Sequence, residues 1–258
     1  MKLAILLAAS TTLYGASALE DILSRSGKAA ESFWVDFAAI NCQESVVQTK
    51  LAPNGHSIAV RQAAYDYLVV ARLAPDDLRL NESRMPVGKV SAPRKEKNYP
   101  MLVTSGFPSL LLIFHPFFQG SYEYAPPEED TLDGKPVLRV SFRHVRNARS
   151  PSCLRLRGRD YPIEWRGKAW LDRSSGVVLK IEAELNASME DVGLTGLRAE
   201  VRYAPVRFKD AASSTWLPAE AVIEASSPQQ RWRNTHRFTE YKHFSVDTTS
   251  TVERPHEP

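Results

Sequence analysis

From residue 120 onward the chain alternates, position by position, between apolar and polar side chains. Leu138, Val140 and Phe142 alternate with Arg139, Ser141 and Arg143, and in the last long run Trp232, Asn234, His236 and Phe238 alternate with Arg231, Arg233, Thr235 and Arg237. A period of two puts one set on each face of a strand. One greasy and one wet face is what antiparallel sheets allow. Turn signals divide the run. Asp133-Gly134 predicts a hairpin joining the 138–143 strand to Gly120–Tyr124, and Arg173–Gly176 predicts another between Lys168–Asp172 and Val177–Leu185. Arg198–Phe208, Thr215–Ala225 and Arg231–Val246 read as three further long strands. A sheet with one apolar face requires a cover.

Two segments offer one. Between Leu19 and Ala39, the positions Ile22, Leu23, Ala30, Phe33, Trp34 and Phe37 recur at helical spacing, with Glu20, Asp21, Arg25, Lys28 and Glu31 between them. The second is the densest apolar run of the chain, Gly106–Phe118, GFPSLLLIFHPFF. It is far shorter than the roughly 20 apolar residues that cross a bilayer, so it is buried in protein or in something the protein binds. Phe107, Leu110, Leu111 and Phe114 fall at i, i+3, i+4 and i+7; Ser105 is placed to cap the start, and Pro116 forbids continuation past His115. This predicts one short helix, apolar nearly all round. Between the two segments, Gln43–Lys50, Ser57–Leu73 and Asp76–Arg84 read as a meander with a turn at Pro53-Asn54-Gly55, and the polar stretch Val87–Pro100 as a mobile loop. The fold class expected is α+β, mostly β.

Residues 1–18, MKLAILLAASTTLYGASA, order a positive charge at Lys2, an apolar core and an Ala16-Ser17-Ala18 site, the pattern of a cleaved secretory signal. Residues 19–258 are then expected to form a single domain exported to an extracytoplasmic compartment. In an oxidising compartment Cys42 and Cys153 invite a disulfide, which on the chain-entropy account would stabilise by about 4 kcal/mol; two separate buried thiols are the alternative. The net charge of +3 gives no reason to invoke nucleic acid. The local concentration Arg139, Arg143, Arg146, Arg149, Arg155, Arg157 and Arg159 reads as a solvated strand or loop face, with peripheral contact to anionic membrane lipid or surface polysaccharide as the sharper reading.

Chemistry-bearing motifs do not appear: no G-x-S-x-G, no H-E-x-x-H, no phosphate loop. His236 and His243 read as surface or hydrogen-bonded histidines, and His115 as a helix-end group bonded to carbonyls. The acidic group Glu128, Glu129, Asp130 and Asp133 reads as a solvated turn rather than a calcium loop. No metal site and no cofactor are expected. A hydrolase would need a His, a carboxylate and a Ser gathered in a cleft. Asn81-Glu-Ser83 and Asn186-Ala-Ser188 match the glycosylation pattern, which matters only in a eukaryotic secretory pathway.

The segment Gly167–Glu182, a strand ending in an aspartate that turns at a glycine and returns as an alternating strand, is similar to a hairpin of the LolA/LolB-like lipoprotein carrier superfamily of bacteria. Trp216–Glu220 with Val222–Ala225 resembles later strands of its sorting-protein branch, and the order of elements resembles the superfamily over most of the chain. The resemblance implies a half-open β-barrel whose concave apolar face is covered by helices, and a periplasmic, non-enzymatic binding protein for a lipid, lipoprotein or other amphiphile. The residues expected to line its hydrophobic cavity are Phe107, Leu110, Leu111, Phe114, Phe117 and Phe118. The partners expected are a lipid or acylated ligand, with an envelope protein as a further partner; the alternative is an envelope scaffold or protein-interaction module with no lipid ligand.

Overall fold

The computed structural model describes residues 6–74, 77–88, 104–156, 158–209 and 213–243. It opens with one helix, α1 (Leu6–Phe37). The strands are β1 (Ile40–Leu51), β2 (Ser57–Ala74), β3 (Asp77–Pro86), β4 (Tyr122–Tyr124), β5 (Glu128–Leu132), β6 (Lys135–His144), β7 (Cys153–Leu156), β8 (Arg159–Pro162), β9 (Trp165–Leu171), β10 (Val178–Leu185), β11 (Gly196–Val206), β12 (Thr215–Ser226) and β13 (Arg231–His243). Between β3 and β4 lie a 3-10 helix at Phe107–Phe114, here called the plug, and one helical turn, α2 (Pro116–Gln119).

Eleven strands make one antiparallel sheet in the order β3-β2-β1-β13-β12-β11-β10-β9-β6-β4, with β5 also on β6. β3 ends one side, β4 and β5 end the other, and the sheet does not close. Register shifts at Asn41/Gln43, Lys50/Leu51, Val178/Lys180 and Arg202/Tyr203 break the ladder. Such bulges bend strands and increase twist, which supports the expected half-open barrel.

The convex face is a lattice of paired charges. Glu123, Arg143, Arg166, Glu184, Arg198, Glu224 and Arg233 lie opposite one another in turn across seven strands. Arg143 binds Glu123 at 2.9 Å, Arg166 binds Glu184 at 2.9 Å and Arg233 binds Glu224 at 2.5 Å. A second row sets Lys180 beside Arg202, Glu220 and Arg237, with Arg237 on Glu220 at 2.8 Å. Each exposed pair is worth less than about 1 kcal/mol, but together they leave the outside of the wall wet and internally neutralised.

The concave face carries the core. From α1 it receives Ile22, Ser26, Ala30, Phe33, Trp34 and Phe37, all buried on one helical stripe. Phe33 meets Tyr203 of β11 edge-on at 6.0 Å, and Phe37 meets Tyr67 of β2 at 6.4 Å. Gly27 lets α2 approach, since a Cβ there would stand 3.1 Å from Gln119 Nε2.

Several expectations need correction. The Asp133-Gly134 turn joins β6 to β5, not to the 120–124 strand, which instead pairs with the far half of β6. The acidic residues expected in a solvated turn are on β5 and its turn, and are ion-paired: Glu128 and Asp130 with Arg139, Glu129 with Arg173, Asp133 with Arg202. Of the expected loop Val87–Pro100, all but Val87 and Gly88 lies outside the described residues, as does Val246. The disulfide is not formed: Cys42 and Cys153 are not bonded to each other. Cys42 is buried on the main sheet, where burial pushes its thiol up to about 12, whereas Cys153 is exposed on the separate β7-β8 hairpin. A thiol held protonated is a poor nucleophile for exchange.

The curl also depends on Gly167 of β9, which lies under the Phe142 ring. A Cβ there would stand 2.0 Å from the Glu182 carbonyl oxygen and 2.8 Å from Phe142 Cζ. Backbone cannot yield as a side chain can, so Gly167→Ala is expected to cost about 3 kcal/mol, seen as a lower urea midpoint with unchanged slope.

Candidate functional site

The interior of the half-barrel is where the expected cavity would lie, and the plug occupies it. Pro108–Phe114 are buried, with Leu110, Leu111, Leu112, Ile113 and Phe114 between 0% and 5% exposed. Gly106 starts the segment in the left-handed region at φ 80, and no side chain caps it, so Ser105 does not play the role expected of it. Pro108 fixes the first turn and removes one donor that would have no helical partner.

A segment inside a sheet but not of it must find other partners for its backbone. Side chains supply them. Tyr203 donates its hydroxyl to Pro108 O at 2.9 Å and accepts Leu111 N–H at 3.3 Å. Tyr124 donates to Ile113 O. Gln119 Nε2 donates both to Phe114 O at 2.7 Å and to Leu23 O of α1 at 2.8 Å, joining plug, α2 and α1. At the exit, His115 Nδ1 accepts Phe117 N–H at 3.1 Å. The histidine thus serves an N–H at the start of α2, not the carbonyls expected.

Of the six residues expected to line a cavity, Phe107, Leu110, Leu111 and Phe114 sit on the plug, and Phe117 and Phe118 on α2. Leu110, Leu111, Phe114 and Phe118 are buried; Phe107 and Phe117 are half-buried. Phe107 packs on Trp165, Phe114 on Phe142, and Phe117 lies under the Arg149 guanidinium at 4.9 Å.

The residues that precede the plug are held by a buried polar cluster which sequence reasoning missed. Glu44 of β1 is 0% exposed and accepts from both Arg84 of β3, at 2.9 Å from Nη2, and His236 of β13, at 2.7 Å from Nδ1. His236 Nε2 meets Thr104 Oγ1 at 2.7 Å, and Asn234 Nδ2 donates to the same oxygen at 3.0 Å. Every bond is satisfied when His236 donates to Glu44 and Thr104 donates to His236. Glu82 of β3 pairs with Arg84 at 2.9 Å and accepts Gly106 N–H at 2.6 Å. Burial works against ionised Glu44, but the His236 and Arg84 bonds outweigh it and hold its carboxyl below the usual range; burial dominates at Glu82 and raises its carboxyl. The available signal was parity: Glu44 shares the inward face of β1 with Cys42 and Val46.

Thr104, His236 and Glu44 follow the hydroxyl, imidazole, carboxylate order of nucleophilic catalysis. Their setting differs. Thr104 is 7% exposed and already accepts from Asn234, and the two surface grooves found lie elsewhere. The chain of bonds anchors a backbone. Among the described residues no group of His, Cys, Asp and Glu is arranged to hold a metal, and no helix is long and apolar enough to cross a membrane.

The grooves open at opposite rims of the sheet. One, about 400 Å³, lies by the β10-β11 connection and the β12-β13 turn, and includes Arg166, Arg198, Arg231 and Trp232. The other, about 410 Å³, lies between α1 and the β9-β10 and β11-β12 connections, and Leu111 of the plug is part of its lining. Asn186 Nδ2, in the second glycosylation pattern, donates to His144 O at 3.4 Å.

No family model matches the chain, and no curated protein matches it in sequence. Among solved structures it is similar to a LolA superfamily protein from Nitrosomonas europaea, at 13% identity over 88% of this chain and 94% of that one, TM-score 0.38. It is similar to a DUF1329 family protein from Desulfovibrio piger, at 9% identity over 91% and 95%, TM-score 0.43. It is also similar to an outer membrane lipoprotein-sorting protein domain from Vibrio parahaemolyticus, at 11% identity over 92% and 95%, TM-score 0.40. The superfamily that the sequence resembles is named among these structures, and the likeness is one of fold.

Removing Glu44's charge leaves half-buried Arg84 without its main counter-ion. Glu44→Gln is expected to cost about 4 kcal/mol at neutral pH. Because the folded carboxyl lies below its ordinary 4.5, Glu44 stabilises above that pH and the contribution is lost as pH falls through the folded value. The gap between native and variant chains in urea denaturation is therefore expected to narrow below pH 4.5.

Proposed function

We propose that the protein is an exported, non-enzymatic carrier that holds an acyl chain of a periplasmic lipid, lipoprotein or similar amphiphile in the half-barrel, in the space the plug fills when no ligand is bound. The observation that carries this reading is the plug itself: an apolar segment buried within a curled sheet, yet hydrogen-bonded to that sheet only by side chains among the described residues. Such a segment can leave without unzipping a strand. The exchange is close to balanced: the six buried apolar side chains that move, Leu110 to Phe114 with Phe118, at about 2 kcal/mol each are matched by about fifteen methylenes at about 0.8 kcal/mol each. A carrier must release its cargo, so near-balance suits it better than tight capture. In this reading Leu110, Leu111, Phe114, Phe117 and Phe118 move with the plug and α2, Phe107 stays at the anchored start, and all six line the opened space.

A second reading, an envelope scaffold or protein-interaction module without a lipid ligand, is favoured by the packing: the expected hollow is filled, with Ile113 and Phe114 at 0% exposure. Mass spectrometry of organic extracts from natively purified protein separates the two. Stoichiometric acyl lipid supports the carrier; lipid-free protein that also fails to bind fluorescent fatty acids supports the scaffold.

Tyr203→Phe sharpens the choice, because it removes the hydroxyl that holds Pro108 and Leu111 while keeping the buried ring. For a carrier, the lost bonds raise the population with the plug out, and apparent affinity rises with that population. Fatty-acid binding by the variant is expected to tighten about fivefold for a stability loss of about 1 kcal/mol. A scaffold would show the stability loss alone.

A further inference from the structure

We infer that the groove of about 410 Å³ between α1 and the sheet rim is the port at which a single-chain fatty acid docks, its carboxylate at Arg25 and its chain against Leu111. This rests on the carrier reading and adds to it a place of first contact and a head-group chemistry.

The groove is amphipathic along its length. Ala30, Phe33, Val178, Trp216 and Leu111 give it an apolar floor, and serines of α1 and of both connections give it a hydroxyl rim. Its charged residues are Arg25 and Lys28 toward one end of the α1 stretch and Asp36 at the other. Burial raises the Asp36 carboxyl; the carboxylate nearer the head-group end, Asp21, is already held by Arg25 at 2.8 Å, and an incoming anion competes with it for the guanidinium. A methylene takes about the ~30 Å³ of a liquid water, so the volume suits one chain of roughly a dozen carbons.

Arg25 supplies the observation that points to an anion. Its Nη2 binds Asp21 at 2.8 Å, while its Nε is buried with no hydrogen-bond partner. An orphaned guanidinium N–H is costly, and Arg25 turning from Asp21 to an incoming carboxylate would bring that N–H a partner. The β9-β10 tip fixes that end of the groove: Gly176, at φ 72, is so close to α1 that a Cβ would stand 2.7 Å from Arg25 Cβ and 2.7 Å from Ser26 N. One guanidinium shared with Asp21 and one ammonium suit a carboxylate better than a phosphate, whose oxygens call for more donors. Leu111 is on the plug as well as on the groove floor, so a chain lying there touches the element that must move.

The test uses the full native chain and a diazirine-bearing dodecanoic acid, with the labelled peptides mapped by mass spectrometry. Labelling is expected on 25–36 and on 174–178 or 213–216. Ser32→Trp, at an exposed groove position, is expected to abolish it without loss of thermal stability. Arg25→Gln is expected to weaken dodecanoate binding about tenfold, and dodecyl phosphate to bind more weakly than dodecanoate. Label confined to 104–124 and 165–171, indifferent to Ser32→Trp, overturns the port and leaves the carrier standing. Equal binding of dodecanoate by native and Arg25→Gln chains, or preference for dodecyl phosphate, overturns the carboxylate assignment. Absence of any binding overturns the port, and the native lipid extract then decides the carrier reading separately.

Discussion

The arrangement depends on how a stretch of backbone survives inside a sheet it does not join. Every buried N–H and C=O must be met, and the i to i+3 bonds of a 3-10 helix of eight residues leave part of its backbone to be met from outside. Tyr203, Tyr124 and Gln119 meet the rest, each from a different element. Such bonds are local and few. A ladder between strands is lost only with its neighbours, but three side chains can let go while the sheet keeps its register. The apolar surface of the plug supplies the cohesion, and that kind of attraction is indifferent to which hydrocarbon provides it.

The inside of the half-barrel is divided in character. Across β12, β11, β10, β9 and β6 it is apolar, with Leu217, Val201, Ile181, Trp165 and Val140 buried. Toward β13, β1 and β3 it becomes charged, with Glu44, Arg84, Glu82 and His236 drawn inward. The two regions meet where the plug begins, because Thr104 and Gly106 are tied to the charged side while Phe107 packs on Trp165. A buried ion pair adds little net stability but is expensive to break from one side. The charged side therefore fixes the start of the segment in place, and freedom to move is left to its far part.

Much of this was legible in the chain. The alternation from residue 120 marked β6 and β9 to β13 and their inward faces, because a strand's period of two survives any curl of the sheet. The stripe Ile22, Ala30, Phe33, Phe37 marked the buried face of α1. The plug was found as a helix, but its 3-10 form was not, since i, i+3 spacing is common to both kinds and Gly106 and Pro108 decide the winding. The polar cluster was not legible, since Glu44, Arg84, Thr104 and His236 lie on separate strands and a loop, and only tertiary register brings them together. The hairpin partner of β6 was missed for a similar reason: one long strand takes two short ones end to end, and turn chemistry reports only on the nearer.

Where a ligand could act is narrowed by the convex wall. A cross-strand lattice such as Arg166 with Glu184 and Arg233 with Glu224 already answers its own charges. A partner docking there would have to replace satisfied pairs with new ones for little gain. Arg139 and Arg143, which in the sequence read as a solvated face with anionic lipid contact as the sharper alternative, are held by Glu128 and Glu123 in this way. What remains unanswered lies at the rims, where connections rather than strands line the grooves and where Arg25 keeps a donor without an acceptor. Access to the interior is then a question about rims, and α1 is the element that spans from the rim groove to the plug.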